Sequence, residues 1–435
     1  MQTLALLLFA VTLGVVVLRQ GLGRGPGIWL LLLAGAGAFV AAGVISPAAA
    51  AAALEQNAPV FGFLLALFVF AVALEESGAL DHLAAWILGR TPRPADLPLY
   101  LFVGFGILSA FLLNDALVLL GVPLFLSVAR RLDSDPGPLL LTLAFSVTVG
   151  SVLTPMGNPQ NLLVALDSGL SAPVTVFLRY LLIPTAVNLV LGGLYLRWAF
   201  RDRFPAGSAP GIRRFPRIPL WPAGPNGPRW RRHPVLLVFP ATMAVLVGSN
   251  LYASVSGTTA WPLDEVALVG ALAVVLLRPD RLAIYRRIRW SVLLLFVGLF
   301  VFVAGAEQAG VLGALQTVLP IAGPGRGAGA VVGSILLASF VGSQAVSNVP
   351  WVALEIPLFR SLGFAGTTPV AWTALAAGST LVGNVSLLGA ASNLIIGQQA
   401  EARGVPFRLL PFVRYGLPLT GITLGVLFLA LYLGL

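Results

Sequence analysis

The chain has 435 residues, of which 58% are hydrophobic and 10% charged, and its mean hydropathy is +0.95. A soluble domain is typically about 25% charged, so a soluble enzyme and a disordered chain are both excluded. The net charge of +10 rests on arginine alone, and cysteine is absent, which removes disulfides, thiolate metal sites and cysteine nucleophiles.

A bilayer helix needs about 20 apolar residues. Apolar segments run over 3–18, 28–46, 58–74, 98–129, 139–166, 173–196, 234–252, 264–277, 290–306, 328–359, 369–397 and 410–433. The first has no basic leader and is followed by Arg19 and Arg24 rather than a small-residue cleavage site, so it reads as a span and not a signal peptide. Arg19 and Arg24 put the first connection inside, 47–57 outside, and Arg90 and Arg93 inside. Segment 98–129 has inside arginines before it and Arg130-Arg131 after it, with a polar break, Asn114-Asp115, near its middle. It is predicted to be a re-entrant hairpin of two half-length helices. Segment 139–166 then crosses outward and 173–196 returns, which places the arginine-rich loop 197–233 in the cytoplasm. In the second half 328–359 is the corresponding hairpin, entering from outside. On this topology only Arg179, Arg326 and Arg360 are external, leaving 23 of the 26 arginines inside. The basic charge thus reports membrane orientation and not nucleic-acid binding.

The two halves are similar at a nearly fixed offset. VFAVALEESGAL (69–80) matches VFVAGAEQAGVL (301–312) at +232. NDALVLLGVPLF (114–125) matches NVPWVALEIPLF (348–359) at +234, and Asn161-Leu162 matches Asn393-Leu394 at +232. The charge-derived topology runs 58–74 inward and 290–306 outward, so the repeats are inverted. Inverted repeats with interrupted helices are the architecture of secondary transporters, with the site at the repeat interface. The organisation read from this is a first transmembrane helix (1–27), repeat 1 (28–200), a basic cytoplasmic loop (201–233), a linking transmembrane helix (234–259) and repeat 2 (260–435).

Four polar clusters interrupt the apolar segments: Asn114-Asp115, TPMGNPQN (154–161), SQAVSNVP (343–350) and GNVSLLGAASN (383–393). Pro and Gly there release backbone groups from helix bonding. Freed carbonyls can hold a cation, and half-helix N-termini attract an anion. The candidate substrate- and ion-binding residues are Asn114, Asp115, Thr154, Pro155, Gly157, Asn158, Asn161, Ser347, Asn348, Asn384, Ser386, Gly389, Ser392 and Asn393. Backbone carbonyls near Asn114, Gly157, Asn348 and Gly389 are candidates for holding Na⁺. Asp115 is a carboxylate deep in an apolar segment, expected either to couple a cation or to cap the second half-helix. Val349 stands at the equivalent position of the second hairpin, and Glu355 is a second candidate carboxylate. Glu75 and Glu307 are read as helix-terminal residues. His82 and His233 both fall at the cytoplasmic surface, so no buried histidine base is available and an intramembrane hydrolase is disfavoured.

At GSVLTPMGNPQNLLVA (150–165) and SNVPWVALEIPLF (347–359) the chain resembles the ion-transporter superfamily that includes arsenite-efflux permeases, citrate and divalent-anion symporters, NhaD-type sodium/proton antiporters and the melanosomal P protein. The divalent-anion symporters carry Ser-Asn-Thr at both hairpin tips. Here only Ser347-Asn348 fits, with Val349 in place of Thr. The resemblance implies an elevator-type transporter whose mobile transport domain comprises about 75–170 plus 307–400.

The expected fold is therefore an all-α polytopic membrane protein of two inverted repeats, each with a re-entrant hairpin and a broken transmembrane helix. The expected function is secondary transport of a small anion, an oxyanion such as arsenite or a carboxylate such as citrate, across the cell inner membrane and coupled to H⁺ or Na⁺. The alternatives are a Na⁺/H⁺ antiporter and, from another class, an anion channel. The expected partners are the lipid bilayer and the substrate, with a homodimer and a soluble ATPase docked on 197–233 left open. No enzymatic activity, no cofactor beyond the coupling ion and no nucleic acid are expected.

Overall fold

The computed structural model describes residues 2–22, 26–91, 93–204, 233–278 and 281–434. Most of the basic loop, and with it the expected docking segment for a soluble partner, lies outside those residues. Among the described residues the structure is all helical, with no strand. Eight of the described helices are long and apolar enough to cross a membrane.

Helix α1 (Gln2–Leu22) precedes the first repeat. That repeat comprises α2 (Ile28–Ala41), α3 (Pro47–Gln56), α4 (Ala58–Glu76), α5 (Ala79–Arg90), α6 (Leu97–Ser109), α7 (Asn114–Arg131), α8 (Pro136–Gly150), α9 (Pro159–Asp167) and α10 (Pro173–Ala199). The linker helix is α11 (Val235–Ser256). The second repeat comprises α12 (Leu263–Leu276), α13 (Arg281–Arg287), α14 (Trp290–Gln308), α15 (Val311–Val318), α16 (Ala328–Val346), α17 (Asn348–Ser361), α18 (Pro369–Leu381), α19 (Ala391–Glu401) and α20 (Leu409–Leu433). From α4 and α14 onward the two series correspond helix for helix. The sequence marks recur with them. Gly78 and Gly310 take left-handed φ of +66° and +71° just after α4 and α14, the helix-ending conformation glycine adopts without a Cβ penalty. Pro123 and Pro357 lie inside α7 and α17, and Pro184 and Pro418 inside α10 and α20.

Equivalent helices run antiparallel. Phe61 at the start of α4 packs edge-on against Phe300 of α14, while Glu75 and Glu76 at the end of α4 pair with Arg287, just before α14 begins. In α10 and α20, Phe200 meets Tyr415 and Asn188 donates to the carbonyl of Thr423. The chain is thus two inverted repeats. Each repeat also lends its opening helix to the other. Leu33 of α2 lies against Gly298 of α14 and Phe39 against Gly305, whereas Leu268 of α12 lies against Gly62 of α4 and Phe70 against Gly270. A Cβ on Gly298 would sit 2.6 Å from the Leu33 amide nitrogen, so only glycine permits the approach. Small residues that let helix backbones close up are a main source of membrane helix association.

Both hairpins are closed. In the first, Phe105 of α6 and Phe125 of α7 stack edge to face at 4.8 Å across the turn. Asp96 at its start pairs with Arg197 at 2.7 Å, and Asp135 beyond its end pairs with Arg203 at 3.7 Å, so both ends reach the C-terminal end of α10. In the second, Trp351 of α17 covers Gly342 of α16 and donates its indole N–H to Ser339 at 3.4 Å. Its ends meet where Gly323 approaches Leu362 and Gly363 approaches Pro324.

The connection 47–57 is mostly helix α3, because Pro47 sits at its start, Ser46 accepts from the Ala49 amide at 3.1 Å, and the run that follows is alanine. One expectation needs correction. Glu75 does not serve the α4 terminus alone. Its carboxylate bonds Arg287 at 2.6 Å, and Glu76 bonds both Arg278 and Arg287, so the pair joins the two repeats.

The hairpins can be tested directly because the chain has no cysteine. Single cysteines replacing Arg93 and Ser134 should both react with a membrane-impermeant maleimide from the cytoplasmic side. Cysteines replacing Gly325 and Ser361 should react from the outside. Reaction of either pair from opposite faces would refute its hairpin.

Candidate functional site

The four polar clusters come together at the middle of the molecule. The first hairpin turns at 110–113, and its tip is fastened to the break between α8 and α9. The Asn114 backbone amide donates to the Gly157 carbonyl at 3.1 Å, and the Thr154 hydroxyl donates to the Ala110 carbonyl. With its side-chain nitrogen directed at the carbonyls of Gly157 (3.0 Å) and Val147 (3.1 Å), the Asn114 amide also accepts from Ser151 at 3.2 Å. Ser109 donates to the Val147 carbonyl at 2.6 Å.

The break itself is held by two asparagines. Asn158 caps α9, its Oδ1 accepting from the Asn161 amide at 2.8 Å. The Asn161 side chain then donates to the carbonyls of Ser151 (3.0 Å), Val152 (3.3 Å) and Thr154 (3.0 Å). These are carbonyls that a continuous helix would have bonded to its own amides. The hydroxyl of Thr380 in α18 links the repeats. It accepts from Asn158 at 3.3 Å and from Gln160 at 3.1 Å, and it donates to Asn161 Oδ1 at 3.3 Å. Pro155 is buried in the break. Gly157 is required there, since a Cβ would fall 2.4 Å from the Ser151 carbonyl oxygen.

The second cluster has the same layout and a different hydrogen-bond state. Ser347 joins α16 to α17 at φ +72°, a left-handed conformation uncommon for serine. Gln344 donates to the Val382 carbonyl at 2.7 Å and accepts from Ser386 at 2.7 Å. Gly389 packs against Gln344 and Gly383. Asn393 donates to the carbonyls of Gly383 (2.8 Å) and Ser386 (3.3 Å), as Asn161 does in the first repeat. Yet Ser343 Oγ, Asn348 Oδ1, Asn384 Oδ1 and Nδ2, Ser392 Oγ and Asn393 Oδ1 are buried without a protein partner. No side-chain atom of the first cluster is in that condition. Glu355, also buried, has neither oxygen bonded.

A cavity of about 190 Å³ opens between the two tips. Of the sequence-predicted residues, Asn114, Asp115, Asn158, Ser347, Asn348 and Ser392 line it. Thr154, Pro155, Gly157, Asn161, Asn384, Ser386, Gly389 and Asn393 stand behind the wall and fix its shape. Thr148, Gln160, Gln398, Arg19 and Arg289 line the cavity as well. Gln160 lay within the TPMGNPQN string, but the two arginines were read only as orientation charges. Asp115 does not cap α7: the N-cap is Leu113, with no side-chain bond. Its carboxylate receives Arg289 Nη1 at 3.2 Å. The cavity lies beside the starts of α2 and α14, where Ile28, Trp29 and Arg289 line it.

The comparisons with known proteins agree with this architecture. Residues 6–381 match the family model of the citrate transporters. The chain is 28% identical to the 46 kDa membrane protein of Mycobacterium leprae, over 85% of each chain. It is 28% identical to the silicon efflux transporter LSI3 of Oryza sativa, over 79% of each. It is 27% identical to the inner membrane protein YbiR of Escherichia coli, over 82% of each. In fold it resembles the Alcanivorax borkumensis YdaH transporter, with a TM-score of 0.51 at 14% identity over 88% of this chain and 86% of that one.

Because Asn161 bonds three carbonyls and Asn393 bonds two, leucine at either site should act differently. Asn161→Leu is expected to lower stability by on the order of 3 kcal/mol, as buried carbonyls lose their donor, and to reduce the yield of monodisperse protein. Asn393→Leu should unfold less readily yet lose ligand-induced thermal stabilisation. Equal melting temperatures for the two variants would refute the difference between the half-sites.

Proposed function

The chain belongs to the citrate transporter family, which makes it a multi-pass membrane transporter, and we propose that it moves a small oxyanion or carboxylate across the cell inner membrane by secondary active transport. The observation that carries this reading is the cavity between the two hairpin tips, lined by residues of both repeats. A channel needs a continuous polar path. Here the cavity is walled on one side by the apolar residues Val292, Leu295 and Phe296 of α14, a helix packed against α2. Alternating access is then a movement of the hairpins and broken helices (about 75–170 and 307–400) against the paired α2–α14 and α4–α12 frame, in the manner of an elevator.

The side-chain chemistry separates the two ligands. The first half-site uses its polar atoms to hold its own broken backbone, leaving the α7 and α9 N-termini facing the cavity. Such ends favour an anion. The second half-site presents unpartnered oxygens of Ser343, Asn348, Asn384, Ser392 and Asn393. Hard oxygen donors beside an interrupted helix suit Na⁺, so we assign the coupling cation to that half and favour Na⁺ over H⁺. A small oxyanion or a carboxylate such as citrate fits a cavity of this size. The similarity to a silicon efflux transporter adds weakly acidic oxyacids, with arsenite among them, to the substrates to be tried.

Reconstituted protein should accumulate one of citrate, arsenite, silicic acid or sulfate against its gradient when a Na⁺ gradient is imposed, and stop when the gradient is collapsed. Asn384→Ala should raise the Na⁺ concentration for half-maximal uptake at least tenfold with little change in the substrate dependence. Downhill flux indifferent to both Na⁺ and H⁺ gradients would overturn the reading in favour of a channel.

A further inference from the structure

We propose that Arg289 is the anion-binding residue of the cavity and that Asp115 occupies it in the substrate-free protein, latching the first hairpin to the frame. The inference rests on the anion-transport reading above and adds the residue that recognises the charge and releases the movement.

The two partners stand on different parts of the fold. Arg289 immediately precedes α14, whose Gly298 and Gly305 are seated on Leu33 and Phe39 of α2. Arg289 is therefore fixed to the frame. Asp115 is the second residue of α7, at the hairpin tip, and its neighbour Asn114 is tied to the α8–α9 break. The ion pair is thus a direct charged link from the frame to the hairpin.

That link is made to exchange. A single bond of 3.2 Å joins the groups, with the arginine side chain 31% and the aspartate 17% exposed to the cavity. A guanidinium offers a second parallel N–H to a carboxylate or oxyanion that can approach in its plane, which Asp115 does not use. The ionisable residues lining the cavity are Arg19, Asp115 and Arg289. Arg19 is held by its own bond to the Pro26 carbonyl at 2.9 Å. The wall therefore carries a net positive charge of about one, and an incoming anion competes with Asp115 for Arg289. Val349 stands at the equivalent place of the second hairpin, so the latch exists on one side of the symmetry axis only. Once the anion holds Arg289, the tip is released from the cytoplasmic end of α14 and the hairpin can move along that helix.

Two measurements on the full-length protein test this. With citrate and sulfate as probes in calorimetry, Arg289→Gln should weaken binding at least tenfold. Asp115→Asn should strengthen it several-fold, because the competitor is gone, and the double variant should bind as weakly as Arg289→Gln. A wild-type affinity in Arg289→Gln, or weaker binding in Asp115→Asn, would overturn the proposal. The second measurement needs no substrate. A single Val349→Cys in the cavity wall should label slowly with an impermeant maleimide from the external face of proteoliposomes. Adding Asp115→Asn or Arg289→Gln should speed that labelling several-fold, and the exchanged pair Asp115→Arg with Arg289→Asp should restore the slow rate. Labelling rates unmoved by either single variant refute the latch. If the labelling shifts while wild-type protein binds neither these probes nor arsenite, the latch stands as a conformational tie. The anion-transport reading, and Arg289 as its receptor, then fall.

Discussion

A helix interrupted inside a bilayer leaves carbonyls and amides that water cannot reach, and each must find a partner or cost several kcal/mol. Both halves of this transporter are organised around that constraint. Between α8 and α9, three carbonyls freed by the break are taken up by one amide group, that of Asn161. Asn158 caps the helix that restarts, and the hairpin tip supplies and receives the remaining bonds. Thr380 then ties this knot to the other repeat. The polar residues in these segments thus stabilise an irregular backbone at membrane depth, and the cavity is the space left where two such knots face each other.

Symmetry of backbone with asymmetry of side chains is what lets one fold handle two ligands. Asn161 and Asn393 are related at +232 and Asp115 and Val349 at +234, and at the second pair the chemistry diverges. The first knot is saturated and bears the carboxylate. The second leaves five side-chain oxygens without a protein partner. The frame around them is also divided unequally by charge. Glu75 and Glu76 bind Arg278 and Arg287 at one end of the frame, while elsewhere Arg360 reaches Asp167 across the two repeats.

Much of this was legible in the sequence, because bilayer physics leaves few solutions. Arginines at both ends of a single 32-residue apolar segment imply a hairpin, and Asn114 and Ser347-Asn348 mark the turns. The repeat offset, carried by Glu75/Glu307 and Asn161/Asn393, indicated the inverted halves. What escaped was whatever depended on distance in space. Nothing in the run Arg286, Arg287, Arg289 separates the last residue, which faces the cavity, from its neighbours, which do not. The capping reading of Asp115 came from its place next to a break, whereas its partner lies 174 positions away. Eight of the fourteen site residues shape the wall from behind it, a distinction that composition does not carry. Thr380 was missed because a threonine in an apolar helix usually bonds its own backbone, as this one also does.

The exchange of opening helices bears on how the protein is made. Helix α4 seats on α12 and α14 on α2, so each repeat leaves the ribosome lacking a surface that the other provides. The first repeat lacks the partner of Gly62 until residues 263–276 are inserted. Neither half is a complete folding unit.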